Sequence, residues 1–294
     1  MIRKRGKQKR RLVVALSDLH SGHSLGLLNP AVVLVQTQDD GSWIEWTPEQ
    51  TDNQRYLWAL YTEFLEAVKE LAGSDEIVLL HLGDLTHGIH YRDGLIPDTG
   101  MEDQRAIAES NLLPWLMLPN VKRVRLLTGT SVHVRVEGSN EARIAYRLSR
   151  ALPGKDIQAT HHSRLEVDGF TFDTAHHGPP GGSRDWLRGN VARYYLRDRM
   201  QIDRRGGLRP SFAYLRGHYH VDVWETLREE WQGHTETAHL MVVPSFMGLT
   251  WHGRKVTRSE PVVVNGLYAF EIGEGQCRIH PFTRRRDQRA QESL

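Results

Sequence analysis

Two kinds of hydrophobic pattern alternate along the first half of the chain. Continuous apolar runs at 11–16, 76–82 and 121–127 read as buried strands. Between the first two, Leu57, Leu60, Tyr61, Phe64, Leu65, Val68 and Leu71 recur at helical spacing, with Thr51-Asp52 as the opening signal and Gly73 as the close. The pattern predicts two further helices, one from Met101 to Trp115 ending near Pro114 or Pro119, and one over 140–152. Trp43 and Trp46 suit a short hairpin. Strands alternating with helices predict an α/β sheet.

The second half changes character. Residues 163–167 and 170–175 flank Asp168-Gly169, a strong signal for a two-residue hairpin turn. Ser183 is a plausible N-cap for a helix reaching about Met200. On that helix Trp186, Tyr194 and Tyr195 share a face assigned to core packing. Residues 212–216, 221–228, 237–243, 262–272 and 278–282 read as strands. No internal repeat, low-complexity segment or linker interrupts the chain. The expectation is one domain over 12–283, made of two packed sheets with helices outside, between basic tails at 1–11 and 284–294.

Composition changes this picture little. With 294 residues, 39% hydrophobic and 25% charged, the chain fits an ordinary soluble globular protein. The one cysteine, Cys277, excludes an internal disulfide framework and a thiolate zinc cluster and suits a reducing compartment. The early apolar run is too short for a signal-peptide core or a membrane span, which predicts a cytoplasmic protein without a membrane partner. Charge is more informative. Residues 1–11 carry seven Lys or Arg and no acid, and residues 284–294 carry four Arg against two acids. The body between them holds 27 basic and 34 acidic residues. Acidic bodies bind cations, and basic tails can touch nucleic acid.

The 16 histidines fall in close groups: 20/23, 87/90, 161/162, 176/177 and 218/220. Imidazole is the commonest side-chain metal ligand. Asp18, His20, Asp84, His133, His177, His218 and His220 all stand at or just past the end of a predicted strand, where α/β sheets gather ligands. Asp18-Leu-His20 puts a carboxylate and an imidazole on one side of an extended segment, and Gly217-His218-Tyr-His220 repeats the spacing with two imidazoles. Asp84 follows Gly83, which permits a sharp turn.

In their order, Asp18-Leu-His20, Gly83-Asp84, His177-Gly178 and Gly217-His218-Tyr-His220 resemble the blocks of the calcineurin-like metallophosphoesterase family over about residues 12–220. The forms Ser-Asp-Leu-His-Ser-Gly-His and Gly-Asp-Leu-Thr-His are similar to phage or prophage members and to the nuclease branch that acts on DNA double-strand breaks. The resemblance implies a four-layer α/β/β/α sandwich of two mixed sheets, of metallo-dependent phosphatase type. It also implies two divalent transition-metal ions, with Mn first and Fe or Zn as alternatives. Asp18, His20 and His220 would hold one ion, His177 and His218 the other, and Asp84 would bridge them. That mixed N/O set suits Mn, Fe or Zn better than Mg or Ca.

One block departs from the family. Its usual Gly-Asn-His reads here as Gly129-Thr130-Ser131-Val132-His133, with Thr130 in place of the ligating Asn. His133 either protonates the leaving group, the favoured role, or fills the vacant ligand position, with Glu137 and Asn140 in reserve. His23, His87 and Thr130 are candidate substrate-binding or supporting groups. His176 should point away from the site by strand alternation. His161, His162, His234, His239 and His280 are assigned to surface or packing, and His252 is not expected at the site.

The expected activity is hydrolysis of phosphate esters by a metal-activated water, a phosphodiesterase or nuclease first. A phosphomonoesterase is the alternative. A degenerate site serving as a metal-stabilised nucleic-acid or protein interaction module is the alternative outside catalysis. Oligomeric state is not legible.

Overall fold

The structure, a computed structural model, describes residues 10–90, 94–131, 139–180, 189–249 and 262–289. Its elements in chain order are β1 (Arg11–Leu16), β2 (Leu34–Thr37), β3 (Trp43–Trp46), α1 (Asp52–Ala72), β4 (Glu76–His81), α2 (Met101–Leu116), β5 (Val121–Leu127), α3 (Asn140–Ala151), β6 (Asp156–Thr160), β7 (His162–Val167), β8 (Phe170–Ala175), α4 (Asn190–Arg205), β9 (Ala213–Arg216), β10 (Val223–Trp231), β11 (His234–Val242), β12 (Val262–Gly273) and β13 (Gln276–Asp287).

β1 is buried on both faces, which is why it reads as an unbroken apolar run rather than an alternation. It lies inside a six-stranded sheet of order β13-β12-β1-β4-β5-β6. β1, β4, β5 and β6 are parallel, and β12 and β13 are antiparallel additions. One face, through Leu12, Val14 and Leu16, packs on α1, α2 and α3 through Leu57, Tyr61, Leu112, Trp115 and Ile144. The other face, through Val13, Ala15, Val78 and Leu80, packs on Phe172, Ala213, Leu215 and Met241 of a five-stranded sheet of order β10-β11-β9-β8-β7. The outer face of that second sheet, through Tyr214, Leu240 and Val242, is covered by Ala192, Leu196 and Met200 of α4. The layers are therefore α/β/β/α, with two mixed sheets at the centre.

Local signals explain most boundaries. Thr51 and Gln54 form a capping box: the Gln54 amide donates to Thr51 Oγ1 at 3.2 Å, and the Thr51 amide donates to Gln54 Oε1 at 3.0 Å. Ser139 caps α3 by accepting from the Ala142 amide at 3.0 Å. The Trp43 and Trp46 segment pairs with β2 as a two-stranded hairpin. β6 adds a strand that the apolar pattern does not predict; its sequence, Asp-Ile-Gln-Ala-Thr, buries only Ile157, so the apolar signal of a strand is faint. α4 differs as well. It begins at Asn190 and runs to Arg205, beyond the expected Met200, and the expected cap Ser183 and Trp186 lie outside the described residues. In this frame Tyr194 faces solvent at 70% exposure, so its packing assignment is corrected, while Tyr195 packs against the α4 cluster. β13 also runs further than expected, so Arg284–Arg286 of the basic C-terminal segment are part of a strand.

The parallel ends of β1, β4 and β5 open on one rim, as do those of β8 and β9. Backbone bonds lock the rim loops together. The Asp18 amide donates to Gly83 O at 3.1 Å, His20 to Asp84 O at 3.0 Å, Phe246 to Asp18 O at 3.2 Å and Gly217 to His176 O at 2.9 Å.

Candidate metal centre

The rim loops carry an unusual backbone. Asp18, His20, Asp84, His218 and His220 all have left-handed φ, between 44° and 74°. For residues with a Cβ this conformation costs on the order of 1 kcal/mol or more each, and it persists where the surroundings demand it. All five are residues the sequence marked as metal ligands. Gly83 has φ 108°, and a Cβ there would stand 2.9 Å from Gly129 Cα and 2.5 Å from His176 Nδ1. The turn into Asp84 thus needs glycine both for its dihedral and for its space.

Two donor groups result. In the first, His20 Nε2 and His220 Nε2 face each other at 3.0 Å, and Asp18 Oδ1 lies 3.2 Å from His220 Nε2 and 3.7 Å from His20 Nε2. Asp18 Oδ1 is buried without a hydrogen-bond donor. Its other oxygen accepts from Ser17 Oγ and from the His218 amide at 3.0 Å. Ligands about 2.1 Å from one cation stand roughly 3.0–3.4 Å apart, close to the spacing seen here. An orphaned carboxylate oxygen, and two like ring nitrogens turned toward each other, fit a shared cation.

The second group surrounds Thr130. Its hydroxyl lies 3.0 Å from each of Asp84 Oδ2, His176 Nε2 and His218 Nδ1, and its amide donates to Asp84 Oδ1 at 2.6 Å. His177 adjoins, with its ring centroid 4.6 Å from that of His218. Donor atoms of His176, His177 and His218 form one set within 4.8 Å, and those of Asp18, Asp84 and His176 form another that links the two groups.

The structure therefore brings Asp18, His20, Asp84, His177, His218, His220 and Thr130 to one place, and it adds His176. Alternation placed His176 on the far face, but β8 ends at Ala175, so the period of two no longer applies. His176 Nδ1 donates to Leu82 O at 2.7 Å, while Nε2 lies 3.0 Å from Asp84 Oδ2. Both ring nitrogens meet oxygen acceptors. Either both carry protons or a cation takes the place of one. His177 is exposed, and His176 is 2% exposed.

His87 and His23 stand behind the first group. His87 Nδ1 is 3.3 Å from His20 Nδ1, the His23 ring packs edge-on to His87 at 4.5 Å, and His23 Nδ1 accepts from the Leu25 amide at 2.9 Å. Both are buried, a position that suits orienting the His20 ring. His133 and Glu137 lie outside the described residues, as does His252. Asn140 caps the region beneath, with Nδ2 donating to Thr86 Oγ1 at 2.9 Å and Oδ1 accepting from Arg105 at 2.9 and 3.0 Å. Among the other histidines, His162 and His280 pair with Asp173 and Glu271, each at 2.9 Å, and His239 packs on Phe212.

Burial sets the electrostatics, and ion pairing then overrules it where partners exist. Burial pushes the Asp18 carboxyl up, but the charge of His220 and the close ring nitrogens of His20 and His220 hold it well below the usual range. Asp84 is likewise pushed up by burial and pulled down further by His176. Burial lowers His176, yet the bond to Asp84 and the charges of Asp18 and Asp84 raise it to about 9. His218 falls to about 4 and His81 to about 3, both chiefly through burial. Sequence reasoning gave no role to His81 or to Glu141. Glu141 is wholly buried near Asp84, and burial raises it to about 7. The buried site thus keeps Asp18 and Asp84 charged and His218 neutral, the states that ligation requires, while a cation bound at His176 would have to displace its proton.

No family model matches the chain, and no curated protein sequence does. Among solved structures it is similar to a protein of unknown function from Aquifex aeolicus, with 18% identity over 72% of this chain and 80% of that one, at a TM-score of 0.34. It is also similar to YfcE, a phosphoesterase from E. coli, with 11% identity over 90% and 88% of the two chains and a TM-score of 0.36. A metallophosphoesterase from Sphaerobacter thermophilus shows 13% identity over 92% and 87%, at 0.34. Likenesses this loose carry no argument. The donor atoms do.

Proposed function

We propose that this chain is a metal-dependent hydrolase of phosphate esters, and that its preferred substrates are phosphodiesters, nucleic acid among them. The observation that carries the reading is the pair of donor groups joined through Asp18, Asp84 and His176 within 4.8 Å. In this reading Asp18, His20 and His220 hold one divalent ion. Asp84, His176 and His218 hold the second, with the Thr130 hydroxyl as an oxygen donor and His177 at its open side. Mn, Fe or Zn suits such a set. A pair of such ions, when bound, polarises a phosphoryl oxygen and lowers the pKa of water at the site.

The chain's own residues do the rest. Leu82 O fixes the His176 ring through Nδ1, leaving Nε2 for ligation, and His87 does the same for His20 from behind. Ser17 and the His218 amide hold the second oxygen of Asp18, so its first is aimed at the imidazoles. His133 is assigned to protonate the leaving oxygen. Diester preference draws on the basic C-terminal strand and on the likeness of the motif forms to phage and nuclease members. The single cysteine suits a reducing compartment, and the proposal extends to a cytoplasmic location.

The test is a Mn²⁺-reconstituted assay on bis-p-nitrophenyl phosphate and on the monoester. Diester turnover that disappears in Asp84→Asn supports the reading. Turnover of the monoester alone moves the assignment to a phosphomonoesterase, and metal binding without turnover of either leaves an interaction module.

A further inference from the structure

The six-stranded sheet does not end evenly at the rim. β1 stops at Leu16, but β12 and β13 continue past it. Ser17 pairs laterally with Ser245, Ser245 with Asn265, and Asn265 with Arg284. Three strand spacings of about 4.8 Å put the Arg284 backbone about 14 Å from the backbone beside Asp18. Beyond that line the hairpin projects over the rim, pairing Val264 with Arg285 and Val263 with Arg286. Three consecutive arginines therefore stand at the end of the sheet that carries the metal donors.

Their faces differ. Phe282 packs on Phe64 of α1, Arg284 pairs with Glu63 at 2.7 Å, and the Arg286 guanidinium stacks 4.6 Å over the Tyr56 ring, so the even positions face α1. Cys277 and Ile279 pack toward the second sheet. By the same alternation Arg285 faces the second sheet, whose strand ends carry His176 and His218. Arg284, Arg285 and Arg286 are all exposed. β13 is an edge strand, with no neighbour beyond it among the described residues. The body of the protein is acidic, so a cationic rim beside the site is a local exception that attracts polyanions.

We propose that the rim end of the β12–β13 hairpin, with Arg285 toward the second sheet and Arg284 and Arg286 flanking it on the α1 side, is a sequence-independent docking surface for a nucleic-acid backbone whose scissile phosphate lies at the metal centre. About 14 Å is longer than one nucleotide unit, so a polymer reaches the arginines and a small diester does not. Guanidinium groups grip phosphate oxygens in pairs, and exposed ones do so without reading bases. The inference rests on the diesterase reading for its scissile phosphate, but its binding is measurable without turnover.

The experiment compares metal-loaded wild type with Arg285→Glu and with an Arg284→Gln/Arg285→Gln/Arg286→Gln variant. Fluorescence anisotropy with a 30-nucleotide DNA strand reads binding directly. The expected result is at least tenfold weaker binding in both variants, with the salt slope of the triple variant reduced by about 2, at roughly 0.7 per lost phosphate contact. Replacing the three by Lys restores most of the binding, and Arg197→Gln on α4 changes nothing. The ratio of oligonucleotide to bis-p-nitrophenyl phosphate kcat/KM should fall at least tenfold in the triple variant. Unchanged binding and slope, or no binding by wild type, overturns the docking surface. Loss of small-diester turnover in wild type instead overturns the catalytic reading, so the two failures are distinct.

Discussion

Among single residues, His176 and Thr130 lie closest to the second group of metal donors. His176 is buried with acceptors at both ring nitrogens, whereas His177 is exposed at the edge of the same group. His176→Asn is expected to weaken the second ion beyond the roughly 10–100-fold typical of an outer partner, and His177→Asn to stay within that range. Metal content by mass spectrometry after dialysis distinguishes them, and the reverse order would move the ligand to His177. Thr130→Val removes the hydroxyl that touches Asp84, His176 and His218 and should lower second-ion affinity by about tenfold or more, with Thr130→Asn closer to wild type. His133→Asn should lower kcat by about 10²–10⁴ with both ions retained. Loss of an ion in that variant would make His133 a ligand. The Asp-x-His and His-x-His spacings were legible because each pair leaves its strand together. His176 was not, because alternation is a rule about strands and the strand stops one residue earlier.

The loops that carry these residues depend on close backbone contacts more than on side-chain packing. Gly217 has no room for a Cβ, which would stand 2.7 Å from Asp18 Oδ2, and Gly83 adds a left-handed dihedral to the same restriction. Gly83→Ala should cost about 1–2 kcal/mol from the dihedral alone. It should also displace His176, so that metal affinity falls more than thermal stability does. Equal loss of both would mean that the turn only supports the fold. Elements with one strong signal were readable: β1 and β4 by unbroken apolar runs, α1 by its face and capping box, and the β7–β8 hairpin by Asp168-Gly169. β6 was invisible because a strand covered on one side by α3 shows a single buried Ile157. The extent of β13 was obscured by its arginines, which are strand residues in an edge position where charge is tolerated.

For the whole molecule, the buried imidazoles set the pH profile of the metal-free protein. His81, at about 3, and His218, at about 4, stay neutral when folded but take up protons when unfolded, so stability falls as pH drops below about 6.5. Glu141, at about 7, acts the other way, holding its proton in the folded state and partly offsetting that slope. His176, at about 9, is protonated when folded and stabilises fully below about 6.5, and that contribution disappears as pH rises through 9. The lowered Asp18 and Asp84 matter only below about pH 4. Thermal unfolding in chelator should therefore be most stable near pH 6.5 and weaken on both sides. Mn²⁺ should stabilise most on the alkaline side, where no proton competes for His176. A flat profile between pH 5 and 9 would contradict this ordering of the buried groups.

In the proposed reading, five separated loops converge on two adjacent cations. Equilibrium Mn²⁺ binding followed by electron paramagnetic resonance reads it most directly. Two ions per chain are expected, with the altered spectrum of a spin-coupled pair, reduced to at most one uncoupled ion in Asp84→Asn. One isolated ion in the wild type, or none, would contradict it.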